Sequence, residues 1–129
     1  MTKEEALYNF WSSFTWKAYE ENSVPTGERA PAFPYITYQV VTDALGANVP
    51  MNASLWDKKT ANHSAMQAIN NKAKEVSEYI GRGGVAVSFT GGIIWIRRGN
   101  PFAQGMGDDS SDAVRRKLLT IQAEFISAD

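Results

Sequence analysis

Few residue types in this chain are reactive. His63 is the single histidine and there is no cysteine, which removes thiolate nucleophiles, thiolate zinc sites and disulfide scaffolds. His63 with a serine and an aspartate has the residue types of a hydrolytic triad, but no nucleophile-elbow sequence accompanies it. The spacing puts His63 in the first turn of a predicted helix, as a solvent-exposed or hydrogen-bonded side chain. Gly81-Arg82-Gly83-Gly84 lacks the lysine and hydroxyl of a phosphate loop and follows a helix instead of a strand. It reads as a helix cap and turn. Asp108-Asp109-Ser110-Ser111-Asp112 lacks the spacing and closing glutamate of an EF-hand loop, so it reads as a solvated acidic loop. The expectation is a protein that is not an enzyme, with no cofactor and no metal.

The segment from Gly91 to Lys117 carries more information. Two strand-like stretches bracket a loop, with Arg97-Arg98 on one side, Arg115-Arg116-Lys117 on the other and the acidic run between them. Both signs should then meet at one end of a sheet. Either they neutralise each other internally, which is worth little per exposed pair, or they mate with opposite charge on a neighbouring copy and set register. Phe102, Gln104 and Met106 in the same loop offer adaptable contacts, and aromatic residues and Met are enriched where subunits meet. Trp56 falls out of phase with Met51, Ala53 and Leu55, so it should point to the opposite face. The interface candidates are therefore Trp56, Arg97, Arg98, Phe102, Gln104, Met106, Asp108, Asp109, Asp112, Arg115 and Arg116.

These residues need a scaffold. A chain of 129 residues is most simply one domain, burying roughly two-thirds of its unfolded surface. The hydrophobic fraction of 43% is too high for disorder. The net charge of −1 argues against strong global attraction to nucleic acid, and the aspartates beside the basic pairs weaken any local attraction. No apolar run approaches the roughly 20 residues that span a bilayer. The amino terminus lacks the apolar stretch of a secretory signal, so a soluble, intracellular product is expected.

Thr2 and Glu5 have capping-box spacing, and Leu7, Phe10, Trp11 and Phe14 follow at helical period, predicting a helix over about 3–14. Residues 19–34, with Pro25, Gly27, Pro31 and Pro34, read as a long irregular connection. Alternation over 36–41 and 49–55 predicts two strands forming an antiparallel hairpin about a turn near 44–48. Thr60 is the expected cap of a second helix with an apolar stripe of Met66, Ile69, Ala73, Val76 and Ile80, closed by Gly81. Strands at 85–89, 93–98 and 119–125 follow, with a second long connection over 99–114. The predicted fold is α+β: a mostly antiparallel or mixed five-stranded sheet flanked by two amphipathic helices, in the order α-β-β-α-β-β-β.

An ordered set of segments gives the chain a resemblance. Asn22-Ser23-Val24-Pro25, Phe33-Pro34-Tyr35-Ile36-Thr37-Tyr38, Ser54-Leu55-Trp56, the Gly81–Gly84 turn, Gly91–Gln104, Asp108-Asp109 and Arg115-Arg116-Lys117 occur in that order. Together they resemble the tail-terminator (tail completion) proteins of long-tailed bacteriophages and of prophages in Gram-positive bacteria, over nearly the whole chain. The resemblance implies a small α/β virion protein without enzymatic activity or cofactor. It would form a ring, commonly of six copies, on the head-proximal end of the tail tube, after assembly in the host cytoplasm. The implied partners are further copies, the tail-tube protein and a neck or head-completion protein, with no membrane and no sequence-specific nucleic acid. Another neck or head–tail joining component is the alternative, and a small hydrolase or ligand-binding domain a remote one. The resemblance carries over no individual site residue.

Overall fold

The computed structural model describes residues 1–41, 49–106 and 113–127. Helix α1 (Lys3–Ser12) begins at the expected capping box. Thr2 Oγ1 accepts from the Glu5 amide at 3.1 Å and Glu5 Oε1 from the Thr2 amide at 3.2 Å, satisfying two of the amides that every helix start leaves unpaired. The helix stops two residues short of the predicted end, and Thr15 then takes a left-handed backbone with φ of 72°. A β-branched residue pays for that conformation. Lys72 braces it from below, donating to the Phe14 carbonyl at 2.8 Å and to Thr15 Oγ1 at 3.3 Å.

The reversed chain forms strand β1 (Lys17–Glu20), which sequence reading placed partly in a loop. Four residues are too short to show a period, and the prolines beyond obscure its end. Of the predicted connection, only the later part is irregular, with one 3₁₀ turn at Gly27–Arg29. Strands β2 (Tyr35–Tyr38) and β3 (Val49–Lys58) pair antiparallel as expected, with Ile36 opposite Leu55. The predicted turn at 44–48 lies outside the described residues.

Helix α2 (Ala65–Ile80) is capped by Ser64, whose hydroxyl accepts from the Gln67 amide at 3.3 Å, and not by Thr60. Thr60 and His63 instead exchange backbone hydrogen bonds ahead of the helix. Gly81 ends α2 at φ 70°, a backbone that favours glycine. Strand β4 (Val85–Phe89) leads to β5 (Gly92–Met106) and β6 (Val114–Ser127).

These two last strands correct the predicted loop over 99–114. Strand β5 continues to Met106, and only 107–112 lies outside the described residues. The sequence hides this because the ladder shifts register between Arg98 and Ala103, at Gly99-Asn100-Pro101. Proline has no amide to give a ladder, and Gly99 lies so close to Thr120 that an added Cβ would sit 2.8 Å from its Cγ2. The strand bulges there and resumes.

The fold is thus α+β as predicted, but with six strands in a mixed sheet of order β1-β2-β3-β6-β5-β4. The element order, helices and strands alone, is α-β-β-β-α-β-β-β. The β1–β2 pair is parallel and the rest antiparallel. Helix α2 packs on β3, β5 and β6, while α1 touches both edge strands, β1 and β4. A helix reaches both edges only because the twisted sheet curls around it. The amino terminus is fixed at the same seam: the Thr90 amide donates to the Met1 carbonyl at 2.7 Å. Leu7, Trp11, Ile36, Leu55, Ile69, Val76, Ile94, Ile96, Leu119 and Ile121 fill the space between sheet and helices. No described helix is long and apolar enough to cross a membrane.

Candidate interaction surface

No helix among the described residues packs on the sheet's other face. Side chains alternate along a strand, so the buried Met51, Ala53 and Leu55 on the helix side put Asn52, Ser54, Trp56 and Lys58 on the open side. Register then fixes their neighbours. Lys17, Tyr35, Trp56, Arg116 and Met106 occupy directly opposed positions on β1, β2, β3, β6 and β5. From Lys17 to Arg116 a row of one side chain per strand crosses four strands.

The row is packed. Tyr35 and Trp56 stack with ring centroids 6.2 Å apart and planes 17° from parallel. Tyr19 and Phe33 meet Tyr35 at 6.1 and 5.2 Å. On the other side the Arg116 guanidinium lies 4.8 Å from the centroid of Trp56. Cross-strand aromatic pairs and cation–π contacts each contribute about 0.5–1 kcal/mol at exposed sites. The polar atoms beneath are paired: Trp56 Nε1 donates to Thr37 Oγ1 at 2.9 Å, and Arg116 Nε donates to Ser54 Oγ at 2.9 Å. Ser54 is 4% exposed, so Arg116 is held by both its ring partner and a buried hydroxyl. Its two terminal nitrogens have no carboxylate partner among the described residues.

Register also sorts the predicted interface residues. Trp56 and Arg116 are adjacent in this row. Gln104, opposite Leu118, shares their face. Arg97, opposite Gln122, also lies on that face but further along β5. Arg98 points the other way and donates from Nη1 to Ser77 Oγ of α2 at 2.9 Å. Arg115 is on the helix side too, opposite Asp57, and Lys117 there bonds Asn70 of α2. Phe102 packs against the core beside the bulge. The backbone of Met106 pairs with Arg116, while Asp108, Asp109 and Asp112 lie outside the described residues. The two basic clusters therefore do not converge at one sheet end. Within each, alternate residues take opposite faces, as a period of two demands.

Sequence reasoning missed Lys17, Tyr19, Phe33, Tyr35 and Lys58. The alternation of Tyr35 and Thr37 with Ile36 and Tyr38 contained the signal for β2, but nothing local paired it with Trp56.

His63 is not in a helix turn. Its Nε2 lies 2.7 Å from Asp57 Oδ2, with the aspartate side chain 3% exposed and the imidazole 47% exposed. Asp57 Oδ1 also accepts from the Lys58 amide at 2.8 Å. Here a buried carboxylate at the end of β3 pins the connection into α2. An open cleft of about 480 Å³ lies beside it, lined by Lys59, Thr60, His63, Ser64, Met66 and Arg115. The Ser64 hydroxyl in that cleft is occupied as the helix cap.

No protein-family model, curated protein or solved structure matches this chain.

Proposed function

We propose that this chain is a structural subunit of a bacteriophage tail: a terminator that closes as a ring on the head-proximal end of the tail tube. In this role it ends tube polymerisation, presents the surface that joins the neck, and performs no catalysis. The observation that carries the reading is the row Tyr35–Trp56–Arg116, packed on a sheet face that no helix among the described residues covers. Tryptophan, tyrosine and arginine dominate the energetics of protein interfaces because they bury large area with little loss of rotamer freedom. Here the three are already ordered, so docking costs less entropy. The ordered resemblance of segments along the chain supplies the biological setting.

A ring requires a heterologous contact, in which one patch meets a different patch on the next copy. The row can serve as one such patch, on a sheet stiffened from behind by two helices. Another neck or head–tail joining component would use the same architecture, and is distinguished by which assembly intermediate carries the protein.

Electron microscopy of tails assembled without this protein tests the proposal. Tubes that overrun a sharp length limit are expected. Uniform tails of normal length would rule out termination as its role.

A further inference from the structure

Strand β1, at one edge of the sheet, leaves part of its backbone unpaired. The Glu21 amide donates to the Tyr38 carbonyl at 2.8 Å, toward β2. Successive residues of a strand turn their backbone groups to opposite sides, so Lys17 and Tyr19 also face β2, while Ala18 and Glu20 face outward. The Glu20 carbonyl is taken, accepting from the Ser23 amide at 2.9 Å. The Ala18 amide and carbonyl have no hydrogen-bond partner among the described residues. Such an edge is a template for a further strand.

A groove accompanies this edge. On the helix side of β1 a cleft of about 360 Å³ is lined by Tyr8 and Ser12 of α1 with Trp16 and Ala18. On the open side a cleft of about 510 Å³ is lined by Lys17, Tyr19, Arg29, Pro31 and Phe33. Thr15, Trp16, Lys17 and Tyr19 line both, so the two clefts adjoin across the strand. Tyr8 and Phe33, one on each side, are large apolar side chains left exposed. The Ser12 hydroxyl is buried with no hydrogen-bond partner among the described residues, an uncommon state for a polar atom.

We infer that the β1 edge receives an extended segment of another protein, one in which apolar and acidic side chains alternate. The segment adds as a further strand beside Ala18, its backbone bonds supplying affinity and its alternate side chains entering the two clefts. The residue opposite Ala18 enters the aromatic cleft, where the small Ala18 side chain leaves room and Ser12 offers a hydroxyl. The next residue faces Lys17 and Arg29, which favour a carboxylate. The strand's own acid does not compete, because the Glu20 carboxylate accepts from Asn22 and Ser23. A second copy's opposite edge fits less well: Val85-Ala86-Val87-Ser88-Phe89 of β4 has no acid to match Lys17 and Arg29. The groove would take its segment whether or not the chain closes as a ring.

A yeast-displayed library of random peptides of about ten residues, panned on the whole protein, tests this. Enriched sequences should alternate apolar residues with Asp or Glu, and a synthetic copy should bind saturably in fluorescence anisotropy. Lys17 is exposed, so Lys17→Glu keeps the fold and should weaken binding about tenfold, the scale of one close charge pair. Lys58→Glu, the same charge change on β3, should leave it unchanged. Two further copies, N-methylated at alternate amides to block one peptide edge or the other, should differ, with binding lost only where the edge facing Ala18 is blocked. Enrichment without that alternation, equal loss in both charge variants, or full binding by both methylated copies would overturn the inference. So would self-association in sedimentation that Lys17→Glu abolishes, which would assign the edge to a second copy.

Discussion

The two faces of the sheet differ in what holds them together. On the helix side, Leu119, Ile121, Ala123, Met51 and Leu55 are fully or almost fully buried against α1 and α2, and their stability comes from apolar area and packing. On the open side, residues at alternate positions of the same strands are half-buried and ordered by each other: a ring on a ring, a guanidinium on a ring, a hydroxyl under a guanidinium. The first arrangement gains most of its free energy on folding. The second leaves anchors with surface still to bury, which is what docking uses. One strand can therefore serve both purposes, with a period of two keeping them apart.

The sharpest way to break this comparison is to injure each face separately. Leu119→Ala removes a side chain with 0% exposure from the middle of the sheet and should cost about 2–5 kcal/mol of unfolding free energy, read from urea titration. A cost below about 1 kcal/mol would mean that the helix side is not the stabilising face.

Next in size is the join between β3 and α2. His63→Ala deprives the buried Asp57 carboxylate of a partner at 2.7 Å and should cost about 1–3 kcal/mol in the same titration. Loss of a biological activity with stability unchanged would instead point to chemistry in the adjoining cleft.

A third test concerns the helix side at alkaline pH. Burial, aided by Glu20 and Tyr8, pushes the Tyr38 phenol from its ordinary 10.0 to about 12. Because the folded value is raised, this contribution to stability is complete below pH 10 and is lost as pH rises through about 12. Tyr38→Phe should flatten the fall in stability across that window, measured by unfolding at a series of pH values. An unchanged slope would show that Tyr38 does not control it.

The smallest expected effect on folding belongs to the open face. Arg116→Glu should change stability by no more than about 1 kcal/mol, as for other exposed charges, while incorporation onto tails falls sharply. A variant that assembles normally but melts early would make the row a structural brace and remove its role in docking.

Local signals were read well where each was self-contained. The Thr2–Glu5 capping box, the apolar stripe of α2, its stop at Gly81 and the antiparallel pairing of β2 with β3 all follow from spacing alone. The two errors in the strands share a cause, in that both depended on partners distant in sequence. Strand β1 exists because Lys17–Glu20 pairs in parallel with Tyr35–Tyr38, and β5 continues past Pro101 because Ala103–Met106 finds Leu119–Arg116 across the ladder. His63 was assigned to a helix because Thr60 was read as its cap, whereas Ser64 caps α2 and His63 bonds Asp57 six residues before it. Among the interface candidates, Trp56 was legible by phase as facing away from Met51, Ala53 and Leu55, and Arg116 only as part of a basic cluster. Their contact was not.

The sequence by itself determined which residues could share a face, since backbone geometry imposes periods of 3.6 and 2 regardless of the rest of the molecule. It also determined the residue chemistry available: no thiol, one imidazole and a net charge of −1. Tertiary structure decided which of those faces meet. Placing β6 between β3 and β5 brings Arg116 over Trp56 from 60 residues away, and turns Arg98 and Arg115 toward the helices. Such pairings close long loops, so they depend on the packing of the whole chain and leave little trace in any short window.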